Sequence, residues 1–251
     1  MRARCLLYAL ILLILAPRAH AWTADELIAR YLQARGGRTK LAAIHSLRIT
    51  GKTASGQGDF VTRQPITTLI KRPGLVRAER SMQGLTAVTA FDGREGWSLQ
   101  PFGGRREPQK LAPDAVKSLR LQADIDGPLV DYQAKGNSVA YLGTEDVDGT
   151  EAHKLQVTLR DGDILYIYLD PDYFLEIREV SETRVRGVEQ ESETDFGNYE
   201  KVAGVYMPFS IESGAKGEPK GTKVTVEKIE TNVPLADSLF HFPATAAGAG
   251  R

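Results

Sequence analysis

From residue 47 onward the chain repeats one pattern, in which apolar and polar residues alternate over short segments that end at turn residues. Alternation with a period of two indicates β-strands that have one buried face. The predicted strands are residues 47–53, 58–70, 75–81, 86–91, 96–100, 138–144, 153–160, 164–170, 174–182, 189–199, 205–213 and 222–230. Because short turns join consecutive strands, we expect an antiparallel meander that is either closed or rolled into a half-barrel.

The β pattern is interrupted once, between residues 103 and 135. Pro113 can start a helix there, and Gly127-Pro128 breaks it. Apolar residues occupy two sides of this helix, with Val116, Leu119 and Ala123 on one side and Leu121 and Ile125 on another. Burial from two directions suits a lid over an open barrel mouth, at about residues 112–131. A helix packed on the outside of the sheet is the alternative.

Two helices are predicted before the first strand. Thr23 and Glu26 have the spacing of a capping box, apolar residues follow at helical spacing, and Gly36-Gly37 supplies the stop. A short second helix is predicted over residues 39–45. Each helix has one apolar side, so both should pack on the sheet.

The first residues have the pattern of a cleavable signal peptide. A basic start with Arg2 and Arg4 precedes an apolar run over residues 6–16, and Ala19 and Ala21 have the small-residue cleavage spacing. We therefore predict a signal peptide at residues 1–21, a single domain at 22–243 and a disordered tail at 244–251. Export would place the domain in the periplasm as a soluble protein.

Composition excludes several function classes. The only cysteine, Cys5, lies in the predicted leader, so the domain would have no disulfide, thiolate ligand or acylated cysteine anchor. Removing the leader takes away three arginines and no acid, which leaves 29 basic and 32 acidic residues. With this slight negative charge and no basic block, a nucleic-acid partner is not expected.

The sequence offers little catalytic chemistry. Outside the leader, His45, His153 and His241 fall in different predicted elements, without the spacing of metal ligands. No nucleophile elbow, zinc-protease motif or phosphate-binding loop is present. Alternating acids at 189, 191 and 193 are typical of a solvated strand face. We predict neither an enzyme nor a metal or cofactor site.

Specific motifs occur around two turns. Lys71-Arg72-Pro73-x-Leu75 is followed by Asp92-Gly93-x-x-x-Trp97 and then by Pro101-Phe102. This stretch resembles the LolA-like family of lipoprotein-sorting proteins. The resemblance is looser at residues 128–130 and at 239–243, which look like a lid segment and a closing edge strand.

The resemblance implies a fold that is mainly β with helices (α+β), an unclosed LolA/LolB-like half-barrel with an N-terminal helix and a helical lid. In that family the cavity under the lid takes acyl chains, and an arginine that matches Arg72 ties the lid shut by hydrogen bonds to lid backbone. A guanidinium suits this role, because its five donors can satisfy several carbonyls at once. A surface arginine beside a turn is the alternative.

Candidate cavity residues follow from the strand pattern together with the resemblance. Residues 164–169 are apolar on both faces, so both sides of that strand must be covered, either by a filled core or partly by a cavity. The predicted cavity wall is Ile70, Trp97, Phe102, Leu165, Ile167 and Leu169. The predicted lid residues are Val116, Leu119 and Leu129.

The predicted function is that of a periplasmic, non-enzymatic carrier of acyl chains in lipoprotein sorting or lipid transfer toward the outer membrane. The resemblance implies an acylated lipoprotein or a free lipid as cargo, with an inner-membrane transporter and an outer-membrane acceptor as partners of a monomer. An interaction or envelope-sensor module on the same fold is the alternative. A filled barrel with no accessible apolar volume would favour that alternative.

Overall fold

The computed structural model describes residues 22–57, 60–104, 107–185 and 187–243. The predicted signal peptide and the predicted disordered tail lie outside the described residues. Three α-helices are present in these ranges: α1 Ala24–Arg35, α2 Arg38–Ala42 and α3 Pro113–Ala123. The strands are β1 Ser46–Gln57, β2 Phe60–Lys71, β3 Leu75–Met82, β4 Leu85–Phe91, β5 Gly96–Leu99, β6 Gln109–Lys110, β7 Ser138–Val147, β8 Thr150–Thr158, β9 Ile164–Leu169, β10 Glu176–Val185, β11 Val188–Val202, β12 Val205–Ala215 and β13 Thr222–Thr231.

All described strands belong to one antiparallel sheet, in the order β6-β5-β4-β3-β2-β1-β13-β12-β11-β10-β9-β8-β7. The chain runs from β1 to the β6 edge, crosses through α3 and residues 124–137 to the β7 edge, and returns to pair β13 with β1. Within the described ranges β6 and β7 do not pair with each other. The predicted unclosed half-barrel of the α+β class is therefore confirmed, and the crossing segment spans its opening.

Every predicted strand is found, with ends that shift by a few residues. The short edge strand β6 was not predicted, because two residues carry no detectable alternation. The second helix ends at Ala42 rather than at residue 45, since the next residues already join the sheet. The His45 amide donates to Asn232 Oδ1 and the Arg72 amide donates to the His45 carbonyl.

The predicted closing strand at residues 239–243 is wrong. Residues 232–243 instead form a strap with one 3₁₀ turn, Asp237–Leu239, on the face of the sheet opposite the helices, called here the outer face. In the strap, Leu235 and Phe240 pack against Leu69 and Leu75. The physical reason is that β2 and β3 carry apolar side chains on both faces, so the outer face also needs a cover.

The helices lie on the other side of the sheet, called here the core face. α1 has the predicted capping box: the Glu26 amide donates to Thr23 Oγ1 at 3.2 Å, and the Thr23 amide donates to the Glu26 carboxylate at 2.9 Å. Leu27 and Tyr31 bury their side chains, and the helix stops at Gly36, whose φ of 120° favours glycine. No helix in the described ranges is long and apolar enough to cross a membrane.

Candidate functional site

The core face and the helices enclose one apolar cluster. It contains most of the predicted cavity and lid residues, namely Ile70, Leu165, Ile167 and Leu169 from the sheet and Val116, Leu119 and Leu129 from the crossing segment. All of them are buried. α3 therefore packs on the core face and not on the outside of the sheet. Whether these residues line a cavity when the segment moves away stays a prediction.

Two predicted cavity residues lie elsewhere. Trp97 is a cross-strand partner of Ala90, and both belong to a small cluster on the outer face with Val88. The Trp97 indole donates to the Phe240 carbonyl of the strap at 2.8 Å. Phe102 lies in a 3₁₀ turn beyond the end of β5 and is exposed. The prediction misplaced both, because local sequence does not show on which face of the sheet an aromatic side chain near a strand end lies.

Arg72 contacts both the crossing segment and the residues around the end of α2. Its two terminal nitrogens donate to the two carboxylate oxygens of Asp126, each at 2.5 Å. Its Nε donates to the Ile44 carbonyl at 2.7 Å, and one terminal nitrogen also donates to the Leu41 carbonyl at 3.3 Å. The contact with the crossing segment is thus a bidentate ion pair with a side chain, where the resemblance implied hydrogen bonds to lid backbone.

The segment that follows α3 is held by two further cations. Arg35 donates to the Asp126 carbonyl at 2.8 Å. Lys135 donates to the Gly127 carbonyl at 2.7 Å and to the Asp124 carboxylate at 2.5 Å. The Arg72, Arg35 and Lys135 side chains therefore fix the backbone just after the helix, at the predicted break. We call residues 124–131 the latch segment.

The charges around the latch segment shift the pKa of Asp126. Burial acts to raise this pKa, but the hydrogen bonds and charge of Arg72 outweigh it, and the charges of Lys135 and Arg35 add to the effect. The pKa of Asp126 is consequently held below its ordinary value. The hydrogen bonds to Asp126 likewise raise the pKa of Arg72. Both side chains are thus charged at neutral pH, as an ion pair requires.

A second tie joins α3 to the opposite half of the sheet. Lys117 of α3 donates to both oxygens of the Asp163 carboxylate, at 2.8 and 2.9 Å, and Asp163 lies just before the start of β9. Because α3 also packs against β2–β5, this ion pair bridges the two halves of the sheet across the opening. An open groove of about 440 Å³ lies beside it, between α3 and the β5–β6 edge.

A polar network is buried beneath α1. The Tyr31 hydroxyl donates to Glu176 at 2.9 Å, and Arg35 donates to the Tyr31 hydroxyl at 3.1 Å. Burial raises the pKa of Glu176. Farther along the same strand, Glu179 is a cross-strand partner of Ile167 and so projects on the core face. Burial, and then the charge of Glu176, raises the pKa of Glu179 to about 7.

Part of the core face is not covered by helices. Phe196, Ile211 and Val224 are successive cross-strand partners on β11, β12 and β13, and each is partly exposed. The neighbouring row contains Glu179, Thr194 and Ser213. We call this surface the open trough. It continues the core face beyond the buried cluster and mixes apolar side chains with hydroxyls and the carboxyl group of Glu179.

The histidines do not converge. His153 is buried in an aromatic cluster, stacked on Phe174 with its Nδ1 at 3.1 Å from the Tyr141 hydroxyl, and burial lowers its pKa. His45 lines an open groove of about 610 Å³ beside the strap, and His241 follows the strap's 3₁₀ turn. Among the described residues no group of three or more His, Cys, Asp or Glu side chains could hold a metal ion.

Sequence reasoning missed the partners that hold the crossing segment. Asp126 lies between a helix and a Gly-Pro break, a position typical of any loop acid. Lys117 is one of several charged residues on α3. The only available signal was that an arginine next to a turn needs an acceptor, and that signal does not say which carboxylate supplies it.

Comparisons with known proteins agree with this architecture. The chain matches no protein-family model, and no curated protein matches its sequence. A LolA superfamily protein from Nitrosomonas europaea superposes with a TM-score of 0.58 at 13% identity, covering 88% of this chain and 98% of that one. A DUF1329 family protein from Desulfovibrio piger gives 0.59 at 12% identity, covering 87% and 97%.

A putative outer membrane lipoprotein-sorting protein domain from Vibrio parahaemolyticus gives a TM-score of 0.56 at 12% identity, covering 86% of this chain and 97% of that one. At such low identity the likeness concerns the fold. It extends over nearly the whole described domain and over nearly the whole of each neighbour. The chain therefore has the LolA-like fold that its turn motifs suggested.

Proposed function

We propose that this chain is a non-enzymatic carrier of acyl chains, with an acylated lipoprotein or a free lipid as cargo. The observation that carries the proposal is the ion pair between Arg72 and Asp126, which holds a separate apolar segment against the core face. A segment held by a few polar contacts and by packing on aliphatic side chains can act as a removable cover. The LolA-like fold supports the same interpretation.

Opening would exchange one apolar surface for another. Displacing Val116, Leu119 and Leu129 from the sheet would expose aliphatic side chains of β2 and β9. Each buried CH₂ group of an acyl chain contributes roughly 0.8 kcal/mol. An acyl chain of ordinary length can therefore replace the apolar contacts that the crossing segment makes with the sheet. Binding then selects between a closed state, with the segment in place, and an open state that holds cargo.

The open trough extends this site. Phe196, Ile211 and Val224 form a partly exposed apolar row on the core face, beyond the helices. An acyl chain seated under α3 can continue along this row, and the hydroxyls of Thr194 and Ser213 can face a polar headgroup. The mixed surface fits an amphiphile better than a purely apolar ligand.

The signal-peptide pattern at residues 1–21 supports a role in the cell envelope. There the cargo would pass from an inner-membrane transporter to an outer-membrane acceptor. We propose that Arg72 controls this transfer, because breaking its pair with Asp126 frees the segment that follows α3.

Native mass spectrometry tests the proposal. The protein is purified from the periplasm of cells that express it with its own leader, beside the Arg72→Leu variant. An adduct with the mass of a lipid or an acylated protein, whose occupancy changes in the variant, is the expected result. The Arg48→Leu variant is the matched control, because Arg48 lies 4.0 Å from Glu230 in a partly exposed pair away from the crossing segment.

A second candidate function follows from the packing of the interior. Leu165, Ile167 and Leu169 are fully buried against the helices, which also suits a permanently filled core. The chain would then act as an interaction or envelope-sensor module through its surface. Bare protein in all three samples, together with no uptake of a hydrophobic dye, would exclude the carrier and leave this module.

A further inference from the structure

Three hairpins place an exposed apolar side chain at the same end of the sheet. Phe60, Leu85 and Val188 each begin the second strand of an antiparallel pair, opposite Gln57, Met82 and Val185. They are 89%, 47% and 63% exposed. This end lies opposite the β11–β12 turn, where Gly204 meets α2 and Gly36. We call the three residues the apolar rim.

The rim residues share one face of the sheet. Side chains on a strand alternate between faces, so residues separated by an even number project together. The β1–β2 and β3–β4 pairings contain no bulge, so this rule applies along β2 and β4. Phe60 therefore shares a face with Ile70, and Leu85 shares a face with Phe91. Val188 shares a face with Thr194 in the same manner. All three therefore stand at the lip of the core face, where the open trough ends.

Two of the hairpins project beyond their neighbours. β2 pairs with β3 only from Ile66 inward, so Phe60 lies on a two-stranded extension formed with β1. β11 pairs with β12 only from Ser192 inward, so Val188 lies on a similar extension formed with β10. Apolar side chains on separate projecting tips do not form the contiguous patch that a stable protein interface buries. Each tip can, however, enter a lipid layer independently of the others.

Exposed arginines lie near two of the three tips. Arg63 and Arg80 are exposed on β2 and β3, and neither forms an ion pair with another described residue. On the β10–β11 extension, Glu189 and Glu191 are offset by Arg184 at 3.9 Å and by Lys216 at 2.8 Å. Exposed arginines behind apolar tips match the arrangement of a bilayer, in which anionic headgroups lie just outside the acyl region.

We propose that the apolar rim is a membrane-docking surface, which inserts Phe60, Leu85 and Val188 into the interface of a bilayer that contains anionic lipid. Docking in this orientation turns the open end of the trough toward the bilayer surface. The inference goes beyond the carrier function and does not depend on it, because the rim binds the bilayer whether or not the core face holds cargo.

Vesicle co-sedimentation tests the proposal. The chain without residues 1–21 is mixed with vesicles of phosphatidylethanolamine and phosphatidylglycerol, beside the triple variant Phe60→Ser, Leu85→Ser, Val188→Ser. We expect the parent to bind and the triple variant to bind at least about tenfold more weakly, since three apolar side chains no longer insert. Added salt should weaken binding of the parent, because the arginines contribute.

The matched control is the double variant Leu142→Ser, Tyr173→Ser. It removes two exposed apolar side chains that lie away from the rim, on β7 and in the turn before β10, and should leave vesicle binding unchanged. Circular dichroism checks that each variant is folded. A Phe60→Trp variant provides a second readout, since brominated lipids should quench the new indole, whereas the native Trp97 is buried and the native Trp22 packs against His153 and Phe174, away from the rim.

Three outcomes would overturn the proposal. The first is a parent protein that does not bind the vesicles, and the second is a triple variant that binds them as well as the parent does. The third is concentration-dependent self-association that the triple variant abolishes while vesicle binding is absent, which would assign the rim to a second copy of the chain.

Discussion

Arg72 binds Asp126 through both terminal nitrogens of its guanidinium, and its Nε donates to the Ile44 carbonyl between α2 and β1. One side chain therefore connects the end of β2, the residues between α2 and β1, and the latch segment. The pair is largely shielded, with 28% of the Arg72 side chain and 19% of the Asp126 side chain exposed. Loss of either partner should consequently lower the stability of the folded protein.

Replacing Asp126 with Asn should cost about 1–3 kcal/mol in the free energy of unfolding, because a partly buried guanidinium loses its charged partner. The measurement is urea unfolding followed by circular dichroism. Asp131→Asn is the control: Asp131 also belongs to the latch segment and pairs with Arg38, but both of these side chains are more than half exposed. That change should cost less than about 1 kcal/mol. Equal losses in the free energy of unfolding for Asp126→Asn and Asp131→Asn would contradict this prediction.

Acid should release the latch. Arg72 holds the pKa of Asp126 below its ordinary value, so the pair contributes stability above the unfolded-state pKa of about 4 and loses it as pH falls through the lower folded-state pKa. The thermal midpoints of the parent and Asp126→Asn should therefore differ at neutral pH and draw together as pH falls below the folded-state pKa of Asp126. If the difference between the two thermal midpoints stays constant with pH, titration of the Asp126 carboxylate is not what stabilises the parent.

Glu179 should show the opposite pH dependence. Its pKa is raised to about 7, so the stability gained from its bound proton is full below the unfolded-state pKa and is lost as pH rises toward 7. Glu179→Gln, which keeps the shape without the charge, should therefore be more stable than the parent at about pH 8 and similar to it near pH 4. Thermal unfolding across this range is the measurement. A variant that is less stable at high pH would contradict the assignment.

Trp97→Phe should destabilise the strap without affecting the proposed binding of acyl chains. The change removes the buried hydrogen bond from the indole to the Phe240 carbonyl, at a cost of about 1–3 kcal/mol. Because Trp97 lies on the outer face, binding of a fluorescent fatty acid should be unchanged. By contrast, Ile167→Ala on the core face should alter both stability and binding. If Trp97→Phe loses binding of the fatty acid, Trp97 would have to contact the ligand, as the sequence-based prediction had it.

Local sequence was a reliable guide to the elements of this chain. Period-two alternation located the strands, and the capping box with its Gly-Gly stop located α1, because these signals depend on neighbours within a few residues. The turn motifs around Arg72 indicated the fold. The same reasoning placed Trp97 in the cavity and residues 239–243 in the sheet, since local pattern does not say which face a strand-end aromatic joins or what covers the outer face.

By itself, then, the sequence determined an antiparallel meander with one helical interruption and an arginine in the turn after β2. Only the tertiary structure decided that the interruption packs on the core face, that Asp126 is the acceptor for Arg72, and that three hairpin tips share one rim. The physical reason is the separation along the chain of the residues that interact. Strand and helix formation follow from contacts between near neighbours, whereas an ion pair across 54 positions exists only once the sheet has curled and brought its two edges to opposite sides of one segment.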